Sequence, residues 1–286
     1  MSRTPTPADD RITSPKSARI RAAAKLANRS WRTKEGRFLA EGPQAVREAV
    51  AAAGDRGALV PVRVIEVFVT EETAARHTDI LGTAAAARIP VRAIADALIG
   101  EISDTVASQG IVAVCSTLDV PLTEIVTERA RLVVVLSQVR DPGNAGTVLR
   151  VADAAGADAV IITSSSVDVY NPKTVRSTAG SLFHVPVVTG VGLPEVAELA
   201  RARGLQVLAA DAHPPAHDLH QPWETGLDLA RPTLWVFGNE AWGLPEKDRA
   251  ECDGAVAIPI YGRAESLNLG TAAAICIYES ARAAQA

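Results

Sequence analysis

The chain has 286 residues, beyond the usual size of one domain, so two domains are expected. Its residues are 48% hydrophobic and 22% charged with a formal net charge of −4, which allows ample cores and excludes a uniformly basic nucleic-acid binder. No apolar run is long enough for a membrane span, and residues 1–15, rich in Pro, Thr, Ser and charge, lack a signal peptide's apolar centre. A cytoplasmic protein with a disordered start, no membrane partner and no disulfide framework is the expectation. Cys115, Cys252 and Cys276 are odd in number, widely spaced and without zinc-ligand spacing.

The first helix is expected from Lys16 to Asn28. Around it Lys16, Arg19, Arg21, Lys25, Arg29, Arg32, Lys34 and Arg37 oppose only Glu35, with Trp31 among them. Basic side chains interleaved with an aromatic pair with phosphates and stack on an unpaired base, although a solvated basic helix reads the same way. Arg29, Trp31, Arg32 and Lys34 are the expected RNA contacts. A strand follows at Phe38-Leu39-Ala40, and Glu41-Gly42-Pro43 opens a helix reaching about Ala53. Strands at Val62–Val69, Pro90–Ile94 and Ile111–Ser116 alternate with Ala-rich helical runs, closing a domain over 16–118. Asp119-Val120-Pro121 and a short helix make a connector over 119–130.

Residues 131–286 alternate more cleanly. Strands are expected at Leu132–Leu136, Ala159–Thr163, Val185–Val188, Gln206–Ala210, Leu234–Phe237 and Ala255–Ile258. Helices include Ala145–Ala155, Pro194–Arg203 and a long last one from Leu267. Short continuous apolar strands between helices imply an α/β fold, a parallel sheet covered on both faces. The last helix carries Leu269, Ala273, Cys276, Ile277 and Ser280 on one stripe.

Three strand-end turns carry polar residues that a plain turn does not require. They are Asp141-Pro142-Gly143-Asn144-Ala145-Gly146 running to Arg150, Phe237-Gly238-Asn239-Glu240 running to Gly243-Leu244, and Ile258-Pro259-Ile260 running to Ser266-Leu267-Asn268. Turns at the carboxyl ends of strands are where open α/β sheets bind ligands. In this order they resemble the three motifs of the SpoU/TrmH-like 2'-O-ribose RNA methyltransferases, the knotted SPOUT class. The resemblance implies a deep trefoil knot, a homodimer with its active site at the interface, and S-adenosylmethionine as cofactor. The Phe-Leu-Ala-Glu-Gly-Pro stretch is similar to the substrate-binding domain of L30/L7Ae type that precedes many catalytic domains of this family. The overall pattern, Arg richness included, also resembles rRNA methyltransferases of the avilamycin-resistance type.

Residue-level matching gives Gly238, Ile258 and Leu267 as main cofactor contacts, with Asn239, Gly243 and Ile260 beside them. Glycine at Gly238 admits close backbone approach, and Ser266 is expected to N-cap the last helix. Methyl transfer from a sulfonium to a ribose hydroxyl needs in-line positioning, loss of a proton and stabilisation of alkoxide charge. In the family the arginine matching Arg150 is often assigned as the base. A guanidinium, with a pKa above roughly 12, is better suited to clamp a phosphate or the nascent alkoxide. Asn144, Glu240, Ser266 and Asn268 then position it; otherwise Arg150 is a surface ion pair with Asp141 or Asp153.

His213, His217 and His220 near Asp218 superficially suggest a metal site, but no second ligand cluster supports them and no metal is expected. Gly190-Val191-Gly192 lacks the rest of a dinucleotide fingerprint, and Ser164-Ser165-Ser166 lacks a nucleophile elbow. The expected activity is 2'-O-methylation of 23S ribosomal RNA. The alternatives are a tRNA methyltransferase and a non-catalytic RNA-binding or ribosome-assembly protein.

Overall fold

The computed structural model describes residues 11–55, 57, 59–103 and 108–285, and the chain divides into two units. One comprises the residues up to Thr117 with Tyr170–Phe183; the other comprises Leu118–Val169 and His184–Ala286. Residues 1–10, the greater part of the segment expected to be disordered, lie outside the described residues. Ile12 already belongs to the first unit, where its N–H donates to the Ala93 carbonyl at 2.9 Å.

The basic stretch forms two helices, α1 (Ala18–Lys25) and α2 (Arg29–Glu35). Asn28 starts the second, its side chain accepting from Ser30 N at 2.9 Å, and Gly36 at φ 59° ends it in the left-handed conformation. Then come β1 (Arg37–Glu41), α3 (Pro43–Gly54), β2 (Val64–Val69), α4 (Glu71–Arg76), α5 (Thr78–Ala86), β3 (Val91–Ala93), α6 (Asp96–Ile102) and β4 (Ile111–Ser116). The sheet order is β1-β4-β2-β3, with β4 antiparallel to both neighbours and β2 parallel to β3. Phe38, Phe68, Ile94 and Val112 are fully buried, and α3 turns Ala45, Val46, Ala49 and Val50 inward.

The second unit begins with α7 (Leu122–Ile125), β5 (Leu132–Leu136), α8 (Pro142–Ala154) and β6 (Ala159–Ile162). The chain then lends α9 (Pro172–Ser177) to the first unit. There Arg176 Nη1 donates to the buried Glu41 carboxylate at 3.0 Å, and Phe38 packs on Tyr170 and Phe183 with ring centroids 4.8 and 6.1 Å away. Its short apolar spacing does not reveal which core it joins. The chain returns as β7 (Val187–Thr189), α10 (Leu193–Ala202), β8 (Gln206–Ala210), β9 (His217–Asp218), β10 (Thr233–Phe237), α11 (Glu246–Arg249), β11 (Gly254–Ala257) and α12 (Leu269–Ala283).

All strand pairs in the seven-stranded sheet are parallel, in the order β7-β6-β5-β10-β8-β11-β9. The strand absent from the sequence reading is β9: two residues of the histidine loop pair with β11 at the sheet edge, too short to show a periodicity. Val133, Val135, Ile161, Val196, Val207 and Val236 share one buried cluster. Towards α12, the fully buried Trp235 donates its indole N–H to Ser280 Oγ at 2.9 Å, satisfying two polar groups that burial would otherwise penalise. Helix α12 buries Gly270, Ala273, Cys276, Ile277 and Ser280, whereas Leu269, expected at the head of that stripe, is only half-buried. Burial pushes the Cys276 thiol up to about 12 and that of Cys115 well above its ordinary value, so both are neutral packing groups.

Candidate active site

Because neighbouring strands run parallel, the carboxyl ends of β5, β10, β8 and β11 lie along one edge of the sheet. Three of the four loops leaving that edge carry the motifs singled out in the sequence. Helix α8 starts there because Asp141 caps it, its Oδ1 accepting from Asn144 N at 2.7 Å, with Pro142 in the first turn. Glu240, arriving from β10, accepts from the backbone N–H groups of Arg140 and Asp141 at 3.3 and 3.1 Å. Asn144 Nδ2 donates to Glu240 Oε1 at 3.2 Å, and Asn268 Nδ2 donates to Asn144 Oδ1 at 3.0 Å. Glu240, Asn144 and Asn268 thus form one chain of hydrogen bonds across three loops.

Two of the expected polar residues stand outside this chain. Asn268, not Ser266, caps α12, its side chain accepting from Gly270 N at 2.9 Å. The helix begins two residues later than expected, which leaves Ser266 exposed on the loop and bordering a cavity. Arg150 is exposed on α8 and makes no hydrogen bond or ion pair among the described residues. The ion pairs weighed for it are not formed: Asp141 caps the helix, and Asp153 meets His184 Nδ1 at 2.9 Å.

A cavity of about 160 Å³ opens at the ends of β8 and β11, lined by Val256, Ile258, Ile260, Leu267 and Ala272 with Ala210, Asp211, Ala212, Glu265 and Ser266. Three of the residues expected as cofactor contacts, Ile258, Ile260 and Leu267, are thus brought to one cavity. Gly238 does not line this cavity. A Cβ there would come within 2.5–2.6 Å of the Gly243 and Leu244 backbone, so the glycine lets the β10 loop fold on itself. Asn239 and Gly243 close that loop by a reciprocal backbone pair at 2.9 Å in each direction. The buried Asn239 side chain completes it, donating to Gln138 O and accepting from Ala241 N, both at 2.8 Å.

Sequence reasoning passed over Asp211, which borders the same cavity directly after β8. Its Oδ1 accepts from His213 N at 2.8 Å and meets His213 Nδ1 at 2.5 Å. Its Oδ2 is buried without a hydrogen-bond partner among the described residues, and Arg249 Nε is 3.9 Å away. The available signal was a carboxylate directly after the apolar run Val207-Leu208-Ala209-Ala210. The histidines beyond it have separate partners: Asp211 for His213, Thr225 for His217 and Tyr261 for His220. No cluster of His, Cys, Asp or Glu placed to hold a metal occurs among the described residues.

In the first unit, Arg29 and Lys34 are exposed, and Lys25 and Lys34 place their ammonium groups 4.2 and 4.7 Å from the Trp31 ring centroid. Arg32 departs from the expected phosphate set. It is 3% exposed and donates to the carbonyls of Leu26 and Ala27 at 2.8 and 2.7 Å. Its Nη1 there satisfies both carbonyls just past the end of α1, so Arg32 stabilises the corner between the two helices. A cavity of about 130 Å³ beside Trp31 is lined by Arg19, Lys25 and Arg37 among others.

Comparison with known proteins follows this division. Residues 131–278 match the SpoU rRNA Methylase family, and residues 17–113 match the MRM3-like substrate binding domain. The chain is 34% identical over 267 residues to the 23S rRNA (guanosine(2553)-2'-O)-methyltransferase RlmP of Bacillus subtilis, covering 93% of this chain and 97% of that protein. It is 34% identical over 282 residues to the 23S rRNA (uridine(2479)-2'-O)-methyltransferase of Streptomyces viridochromogenes, covering 97% and 93%. The crystal structure of an AdoMet-bound rRNA methyltransferase from Sinorhizobium meliloti superposes with a TM-score of 0.80 at 28% identity, covering 95% of this chain and 97% of that one. The chain belongs to the SpoU rRNA methylase family and carries an MRM3-like substrate-binding domain ahead of its methylase domain.

Proposed function

We propose that this protein methylates a ribose 2'-hydroxyl of 23S ribosomal RNA with S-adenosylmethionine as methyl donor. The observation that carries the reading is the Glu240–Asn144–Asn268 hydrogen-bond chain, whose last member directly follows the cavity residue Leu267. Full-length similarity to 23S rRNA 2'-O-methyltransferases supports the substrate class. The cofactor supplies a methyl group activated on a sulfonium. The apolar side chains of Ile258, Ile260 and Leu267 would pack against its adenosine, and Ser266 borders the same space. A ribose hydroxyl that passes its proton to solvent while its oxygen bonds to the methyl carbon would develop negative charge, and the electrons of the broken carbon–sulfur bond would stay on sulfur. Arg150, exposed and unpaired among the described residues, is the cation assigned to that charge or to the neighbouring phosphate.

The same reading includes a homodimer formed through α8 and α12, a knot in the cofactor loops, cytoplasmic location, and RNA contacts from Arg29, Trp31 and Lys34. A dimer is supported by the outer face of α12, where Tyr278 is 48% exposed beside the half-buried Ala274 and Ile275. The test incubates the protein with labelled S-adenosylmethionine and unmodified 23S rRNA or tRNA, then maps the product by primer extension at low nucleotide concentration. A stop in 23S rRNA is expected. Label in tRNA alone replaces the substrate, and no label in either RNA leaves a binding protein.

A further inference from the structure

We propose that Asp211 recognises the ribose of the cofactor, its carboxylate accepting hydrogen bonds from the adenosine's vicinal hydroxyls. This rests on the cavity at Ile258 and Leu267 being the cofactor site. Strand β8 lies between β10 and β11 in the sheet, so the residue that ends it is held between the loops carrying Gly238 and Ile258. Asp211 is fixed there by its own N–H, which donates to Val256 O at 3.1 Å, and by the two His213 nitrogens on Oδ1. A buried carboxylate oxygen without a donor keeps the full cost of its lost hydration. Yet Asp211 is 8% exposed, borders the cavity and leaves Oδ2 without a hydrogen bond among the described residues. Arg249 Nε, 3.9 Å from Oδ2, is too far to donate a hydrogen bond.

An acceptor in that state beside a cavity suits a donor that arrives with the ligand. Vicinal ribose hydroxyls supply neutral donors, and an acidic residue on a ribose hydroxyl is a solution other open α/β sheets use. The ammonium of the cofactor's amino-acid end is the competing donor, and ligands that lack one or the other separate them.

The experiment measures calorimetric affinity of the full chain for three probes: S-adenosylhomocysteine, 5'-methylthioadenosine without the amino-acid end, and its 2',3'-dideoxy analogue. Asp211→Asn keeps an Oδ1 acceptor for the His213 N–H and is expected to unfold at an unchanged temperature. Asp211→Ala removes both acceptors. The unsubstituted protein is expected to prefer the diol over the dideoxy ligand by about tenfold to a hundredfold, the range for a hydrogen bond to a charged group. Asp211→Ala should lose that preference, weakening the two diol ligands by a similar factor and leaving the dideoxy analogue unchanged. Asp211→Asn should fall between. Weakening of S-adenosylhomocysteine alone assigns the carboxylate to the ammonium and overturns the proposal. Unchanged affinity for every probe makes Asp211 a loop anchor only and also overturns it. Ile258→Trp, which fills the cavity, should abolish binding of all three; if it does not, the cofactor site itself lies elsewhere.

Discussion

Asn268 donates to Asn144 across 3.0 Å, tying the cap of α12 to the first turn of α8. The two helices can come this close because Gly270 faces Thr147, where a Cβ would stand 2.7 Å from the threonine Cγ2. One residue therefore both starts a helix and aligns the active-site polar chain. Asn268→Asp keeps the capping oxygen but loses the amide donor, so stability should hold while single-turnover methylation falls at least tenfold. Asn268→Ala loses both, with about 1 kcal/mol of stability going with the cap. Urea unfolding alongside single-turnover rates separates the two, and equal rates for the Asn268→Asp variant and the unsubstituted protein would remove the pair from the mechanism.

The cofactor loop gives a second contrast. Gly238→Val cannot simply fill a slot, because its Cβ meets backbone at 2.5–2.6 Å. Loss of stability by about 1–3 kcal/mol is expected with loss of cofactor binding. Thermal unfolding and calorimetry on this variant should therefore fall together.

Arg150 has no protein anion to hold among the described residues, so its removal should leave the fold untouched. Arg150→Ala is expected to lose the methyl-transfer rate by orders of magnitude with cofactor affinity retained. Arg150→Lys keeps a cation without the planar fork and should retain part of the turnover. As a clamp it adds no ionisation near neutral pH, so the pH–rate profiles of the Lys variant and the unsubstituted protein should share a shape. A Lys variant as inactive as the Ala variant, with RNA and cofactor still bound, points to a role that only guanidinium fills.

In the first unit the basic residues divide by burial. Neutralising the exposed Arg29 and Lys34 should weaken RNA binding and flatten the dependence of log affinity on log salt by roughly one unit for each phosphate no longer neutralised. Arg32→Ala should instead act on folding, because the carbonyls of Leu26 and Ala27 lose their donor. Filter-binding titrations over a salt series, with chemical unfolding of each variant, check both. An unchanged slope in the Arg29 and Lys34 variant makes that face a solvated one.

Much of the second unit was legible because its strands are short apolar runs broken by helices of 3.6 periodicity. Asp141-Pro142 and Gly238-Asn239-Glu240 could be found for the same reason: turn and cap chemistry acts over a few residues. Local sequence also marked Asn144, Glu240 and Asn268, but not that they would be bonded to one another, since they approach only when β5 and β10 pair and α12 packs on α8. Sheet order decided the importance of Asp211, because nothing in the chain says that β8 inserts between β10 and β11. Burial decided Arg32 and Gly238, whose neighbours are set by three-dimensional approach. The segment Tyr170–Phe183 joined the first core for the same reason: periodicity specifies which face of an element is apolar, while the surface that covers it is chosen by packing.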